Sequence, residues 1–211
     1  MAKRLLIPGL GGSEQGHWQQ WWLTRDPNAS LVEQDDWANP DAATWVGRLA
    51  SVVSKNPGAI LVGHSLGGTL IPLLARAHPD LNIRGALIVA PADADESPAL
   101  REIAPGFAPI PGARLPFPSI AVASANDPYL RIERAMNLAR AWGAQFVHAG
   151  ESGHINTSSG YGPWPAGLRL ATQLIKNSPP VAGFHRLPQS RPNSPLHPLP
   201  VETDVTARVA Q

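Results

Sequence analysis

The stretch Ala59-Ile60-Leu61-Val62-Gly63-His64-Ser65-Leu66-Gly67-Gly68 decides the fold. An unbroken apolar run bounded by glycine reads as a strand covered on both faces. After it, Leu66, Thr69, Leu70, Leu73, Leu74 and Ala77 recur at helical spacing. Between the two stands G-x-S-x-G, the strand-to-helix turn that lifts a serine above the end of a sheet. So sharp a turn leaves no room for side chains two residues before and two after the serine, a need that Gly63, Gly67 and Gly68 meet. Ser65 Oγ is then expected at a helix N-terminus, where free N–H groups and the dipole favour a developing negative charge. Pro72 falls within the helical run and predicts a kink there unless it lies in the first turns.

Outward from this turn, short apolar runs alternate with segments of helical period. Residues 3–7, 30–34, 59–62, 85–90, 120–124 and 145–148 are each bounded by Gly, Pro, Asn or Asp. Six strands with helices between them predict an α/β fold: a doubly wound, mostly parallel six-stranded sheet with helices on both faces. The clearest helix carries Ala42, Trp45, Val46, Leu49, Val52 and Val53 on one stripe, with Asn39 placed to cap it and Pro40 to open it. Ile132, Ala135, Met136 and Ala139 form a second stripe, and residues 167–176 a last helix.

Two segments break the rhythm. Residues 91–118 hold seven prolines together with Phe107, Ile110, Leu115 and Phe117. They predict an excursion with at most a short helix near 97–103, suited to walling a site and too short for a large lid. Residues 179–211 are proline-rich with few apolar residues, and read as a disordered tail behind a domain spanning 1–178.

Composition removes several chemistries. A chain of 211 residues can build one substantial core. Without cysteine it has no disulfide, Cys-ligated zinc, iron–sulfur cluster or thiol nucleophile. Seventeen Lys plus Arg against sixteen Asp plus Glu leave a net charge of +1 with no basic stripe, so nucleic acid is not an expected partner. The apolar run Leu5, Leu6, Ile7 stops at Pro8, far short of a signal-peptide core or a membrane span. A cytoplasmic protein without membrane attachment is the expectation.

A serine needs a base at neutral pH, and the base needs an orienting acid. In this fold class they follow the serine in the order acid then histidine, each after a later strand. Asn126-Asp127-Pro128 follows the fifth strand and Ser152-Gly153-His154 the sixth, which places Asp127 and His154 on the same sheet edge as Ser65. Of the other histidines, His64 and His78 flank the elbow helix, His148 lies in a strand, and His185 and His197 lie in the tail. Asp93 and Asp95 after the fourth strand compete with Asp127 as the acid.

Two backbone N–H groups must hold the oxyanion: that of Leu66 after the nucleophile and one from the glycine-rich loop Pro8-Gly9-Leu10-Gly11-Gly12-Ser13, where Leu10 is the expected donor. Neither G-x-x-x-x-G-K nor G-x-G-x-x-G occurs in that loop, so it does not read as a phosphate cradle. His17 and Trp18 near this loop, and Phe107 and Phe117 in the excursion, are candidates to line a substrate pocket, although tryptophans are as readily core. No metal or organic cofactor is implied.

These pieces resemble the α/β-hydrolase superfamily, and in finer detail the small lidless branch of retinoblastoma-binding-protein-9-like serine hydrolases. The matching blocks are Pro8-Gly9 with Gly11-Gly12, His17-Trp18 with Trp21, and Asp41 through Trp45. They continue with G-H-S-L-G at 63–67, Asn126-Asp127-Pro128-Tyr129, Ser152-Gly153-His154-Ile155-Asn156 and Gly162-Pro163-Trp164-Pro165. The resemblance implies a serine hydrolase with Ser65, Asp127 and His154 as its triad; the residues themselves lead to the expectation that it acts on a small-molecule ester, thioester or amide carbonyl. Lacking cysteine, the chain cannot contain the L-x-C-x-E peptide through which pocket proteins are bound, and its protein partner is left unassigned. The rival reading is a binding module that keeps the fold with little turnover.

Overall fold

Strand β3 (Ala59–His64) is buried at every position, as is β1 (Arg4–Ile7), and burial on both faces is the condition under which a parallel sheet forms. In the computed structural model, which describes residues 2–177, six strands lie in the order β2-β1-β3-β4-β5-β6 with every neighbouring pair parallel. The others are β2 (Ala29–Leu31), β4 (Ile83–Val89), β5 (Ser119–Ala123) and β6 (Gln145–His148). The expected doubly wound α/β fold is therefore present, with a sheet that is wholly parallel and open.

Alternation along the strands divides the core into two layers. Leu5, Ile7, Leu61, Ala86 and Ile88 face one side, where α2 (Ala42–Lys55), α3 (Leu66–Ala77) and α5 (Ile132–Trp142) contribute Trp45, Leu49, Leu70, Leu74 and Trp142. Leu6, Ile60, Val62, Leu87 and Val122 face the other, under Trp18 and Trp22 of α1 (Trp18–Arg25) and Ala171 and Leu174 of α6 (Pro165–Asn177). The chain leaves β1 for β2 on one side and returns to β3 on the other, so the sheet order reverses between β1 and β3. In open α/β sheets the crevice at the carboxyl end of such a switch point is where ligands bind.

Several local expectations are corrected. Asp41, not Asn39, caps α2: its Oδ1 accepts from Thr44 N at 2.7 Å, while Asn39 N is already held by Asp36 Oδ1 at 3.0 Å. The strand expected to end at Val62 runs on to His64, and β2 is shorter and earlier than residues 30–34. Pro72 sits inside α3 without ending it. The excursion after β4 holds α4 (Pro98–Ile103) and a short 3-10 turn (Pro105–Phe107), and it packs down rather than arching over the sheet. Phe107, Ile110, Leu115 and Phe117 are all buried in the first core layer, so no large lid stands above the strands. The reading of 179–211 as a tail lies outside the described residues. No helix among the described residues is long and apolar enough to cross a membrane.

One buried ion pair ties β1 to both helices of the second layer. Arg4 Nη1 meets Asp26 Oδ2 at 2.6 Å, Arg4 Nη2 donates to Thr172 Oγ1 of α6 at 3.3 Å, and Asp26 closes the C-terminus of α1. Removing one partner strands the other charge in the core, which costs about 3–5 kcal/mol. Asp26→Ala should lower Tm by roughly 2–4 °C per kcal/mol, whereas Arg4→Met with Asp26→Leu should recover most of that loss. Thermal melts of the three proteins check this, and an unchanged Tm in Asp26→Ala contradicts it.

Candidate active site

The elbow is a steric construction. Ser65 has φ 57° and ψ −126°, a positive-φ conformation that a residue with a Cβ rarely adopts. It persists because its main chain is held on all sides. Ser65 N donates to Val89 O at 3.1 Å, and Ser65 O accepts from Gly68 N at 2.9 Å and from Ala92 N at 3.2 Å. A Cβ at Gly67 would collide with the Ile7 carbonyl and one at Gly63 with the Gly67 carbonyl, so both glycines are needed for the helix to start this close to the strands.

The loop after β1 comes down onto the serine. A Cβ built on Gly9 would lie 2.6 Å from Ser65 Cβ, 3.0 Å from its Oγ and 3.1 Å from Leu66 N. The loop is closed by Gly12 N donating to Gly9 O at 3.0 Å and anchored by Gly11 N donating to Trp37 O at 2.9 Å. Leu66 stands first in α3, so its N–H has no intrahelical carbonyl to reach.

The loops after β5 and β6 are welded to each other. Ser124 Oγ donates to Asn126 Oδ1 at 2.7 Å and accepts from Ser152 N at 2.8 Å, while Asn126 Oδ1 also accepts from Gly153 N at 2.7 Å. His154 Nδ1 lies 3.0 Å from both carboxylate oxygens of Asp127, whose side chain is fully buried. With its N–H directed there, the imidazole leaves Nε2 unprotonated, the tautomer a general base requires. Asp93 and Asp95, the competing acids, are engaged elsewhere: both bind Arg134, at 3.1 and 2.6 Å, and Asp95 also accepts from Ile110 N.

Ser65 and His154 line one cleft of about 170 Å³, together with Gly9, Leu10, Glu14, His17, His64, Leu100, Tyr129 and Asn156. Leu10 and Tyr129 are partly exposed at its rim. Three of the proposed lining residues are not on this cleft. Trp18 is buried in the second core layer, its indole N–H donating to Ile155 O at 2.9 Å. Phe107 packs edge-on against Trp45 with ring centres 5.7 Å apart, and Phe117 lies in the same layer. An apolar ring in a proline-rich excursion reads equally well as wall or core, and here the covering of α2 and α3 takes them. Leu100 and Tyr129 were missed. Tyr129 had a signal, standing two residues past Asp127, while Leu100 on a single short helix had none. Among the described residues no three His, Asp or Glu side chains converge as a metal site.

A family model described as serine hydrolase matches residues 4–173. The chain belongs to the serine hydrolase family. The resemblance to retinoblastoma-binding-protein-9-like enzymes fits within it, and the protein is a hydrolase. Among solved structures, a proposed YdeN-like hydrolase of Pectobacterium atrosepticum is 34% identical with a TM-score of 0.74, over 85% of this chain and 94% of that one. The ydeN gene product of Bacillus subtilis is 19% identical with a TM-score of 0.70, over 83% and 100% of the two chains. The esterase RhEst1 of a Rhodococcus species is 17% identical with a TM-score of 0.57, over 83% and 89%. The last two likenesses show the fold. No curated protein matches this chain.

In this serine hydrolase the cleft floor is a row of three histidines, with His64 centred 4.9 Å from both His17 and His154. Burial pushes His17 down to about 4, against the opposing pull of the Glu14 carboxylate and with a smaller lowering from His154. Burial first, then the neighbouring His154 and His17, holds His64 well below its usual value. Both rings are therefore neutral at pH 7. His17 also caps α1, its Nδ1 accepting from Gln19 N at 3.2 Å.

A ring kept neutral by folding is a liability in acid, because the unfolded chain takes up a proton near pH 6.5 that the folded chain refuses until about pH 4. Stability is complete above 6.5 and drains as pH falls toward 4, by about 2–3 kcal/mol for His17. His17→Asn keeps a capping acceptor and removes the titration. Urea melts at pH 7 and pH 4.5 should show a smaller acid loss in the variant than in the wild type, and equal losses would contradict the assignment.

Proposed function

We propose that this protein hydrolyses small esters, thioesters or amides through a Ser-His-Asp triad and an acyl-enzyme intermediate. Ser65 is the nucleophile, His154 the base and Asp127 the orienting acid. The observation that supports this best is that the strained serine and a histidine held by both oxygens of a buried carboxylate open onto one cleft. His154 Nε2 takes the proton of Ser65 Oγ as Oγ attacks the carbonyl carbon, and Asp127 stabilises the imidazolium. The N–H groups of Leu66 and Leu10 receive the oxyanion, since Gly9 lets the first loop approach within contact of both Ser65 and Leu66. Collapse of the tetrahedral intermediate passes the proton from His154 to the leaving group. Water, deprotonated by the same ring, then releases the acid.

Fluorophosphonate labelling tests the assignment directly. Wild type should label and Ser65→Ala should not, with esterase turnover reduced by about 10³-fold or more while the melt is retained. Asp127→Asn should fall far below Asp93→Asn and Asp95→Asn, because it alone sets the tautomer of His154. Labelling of Ser65→Ala, or the reverse ranking of the acids, would refute these roles.

Substrate size follows from the cleft. At about 170 Å³ it is smaller than the 300–1,000 Å³ of ordinary ligand sites, and no lid extends it. With about 0.8 kcal/mol for each methylene covered, a long chain has little to gain here. On p-nitrophenyl esters kcat/KM should peak at short acyl groups of roughly two to six carbons. Replacing Leu100 or Tyr129 should shift that profile, whereas Phe107→Leu should act on stability; an optimum at palmitate would contradict the shallow site.

A further inference from the structure

The geometry points to His64 as a positioning residue, a neutral imidazole whose Nε2–H holds the main-chain carbonyl of His154 and so sets the distance between nucleophile and base. This rests on Ser65 being the nucleophile and His154 its base. His64 is the last residue of β3 and is covalently joined to Ser65. Its Nε2 stands 2.9 Å from His154 O. A carbonyl only accepts, so Nε2 carries the hydrogen. The side chain is buried between His17 and His154 and edge-on to Trp18, with 5% of its surface exposed. It cannot swing aside.

What this bond does follows from the sheet order. β6, which delivers His154, is three places from β3, which delivers Ser65. At about 4.8 Å per strand the loop must reach back roughly 14 Å across the sheet edge to put its imidazole near the serine. Its outer part is held from β5, through Ser124 and Asn126. At His154 the β5 loop holds only the ring, through Asp127, while the N–H donates to Ser159 Oγ at 3.0 Å; the next residue, Ile155, takes a positive φ of 50°, which a β-branched residue avoids unless it is forced. Two consecutive carbonyls at this turn are held from the far side, His154 O by His64 and Ile155 O by the Trp18 indole. Trp18 holds from a helix on the far layer. His64 holds from the residue next to the nucleophile, so its bond ties the main chain of His154 to that of Ser65. It takes no part in proton transfer, since its Nε2–H is committed to a carbonyl.

The experiment compares His64→Phe, His64→Gln and His64→Asn with wild type. Phenylalanine keeps the ring volume without the donor. The glutamine amide nitrogen falls near Nε2, and that of asparagine falls near Nδ1, short of the carbonyl. On p-nitrophenyl acetate kcat should drop about tenfold to a hundredfold in the Phe and Asn variants with KM changed by less than about threefold, since a misplaced base is felt in the transition state and not in binding. Gln should recover at least about a third of the wild-type kcat. The side-chain Nδ1–H resonance of His154 should move in the Phe and Asn variants and return in Gln.

Wild-type kcat in His64→Phe or His64→Asn overturns the proposal. So does a glutamine variant as impaired as asparagine, which would make the role one of packing. If His64→Phe does not fold, the Gln and Asn pair decides by itself. A wild type that neither labels with fluorophosphonate nor turns over refutes the hydrolase reading, and the His154 resonance still decides whether His64 holds that loop.

Discussion

The approach of the α3 N-terminus to the carbonyls at the end of β1 is the constraint on which the rest of the molecule depends. Gly67 lies so close to the Ile7 carbonyl that no other residue fits, and Gly9 lies as close to Ser65 from the opposite side. The two contacts bring the turn after β1 and the turn after β3 together at the point where the sheet order reverses. The cleft is therefore a product of backbone packing before any functional side chain is considered. The strain at Ser65 is borne by the two strands around it, β3, buried throughout, and β4, buried from Gly85 to Val89, whose own ladders leave the turn no freedom to relax.

From this point the molecule divides its work between layers. Trp18 and Trp22 of α1 form one packed group with Trp164, which stands just before α6: Trp18 lies 5.2 Å from Trp22 and 5.1 Å from Trp164, and the indole donors of Trp18 and Trp22 are spent on Ile155 O beside the cleft and on Trp164 O. Aromatic bulk and loop position are thus served by the same residues. On the opposite layer the proline-rich excursion fills the interior with Phe107, Ile110, Leu115 and Phe117 and brings Leu100 to the cleft.

Much of this was legible in the chain. The strand, the three glycines and the helical stripe around Ser65 each demand the same turn, and the order of Asp127 and His154 after later strands follows from a parallel sheet whose loops emerge on one edge. Whether Asp93, Asp95 or Asp127 faces the histidine was open, because loop order does not say which carboxylate Arg134 will take. The helix cap was misplaced by two residues since Asn39 and Asp41 are equally good acceptors in sequence, and only the Asp36 turn decides between them. Phe107, Phe117 and Trp18 were misread for one reason: an apolar side chain near a site carries no mark of which side of the backbone it will occupy. His64 looked like a bystander because its role is read from a main-chain atom ninety residues away.

The weld between the loops after β5 and β6 is made entirely of uncharged groups, a hydroxyl, a carboxamide and peptide N–H donors. Nothing in it titrates between the extremes of pH, and no dissolved ion screens it as it would screen a surface ion pair. A carboxylate at 126 would accept the same bonds, yet would set a second negative charge one residue from Asp127 and spread the imidazolium's attraction over two anions. The amide supplies the acceptor without the field. The seam that carries Asp127 and His154 is thus electrically silent, and changes in salt or acidity reach the cleft only through the rings and the carboxylates that face it.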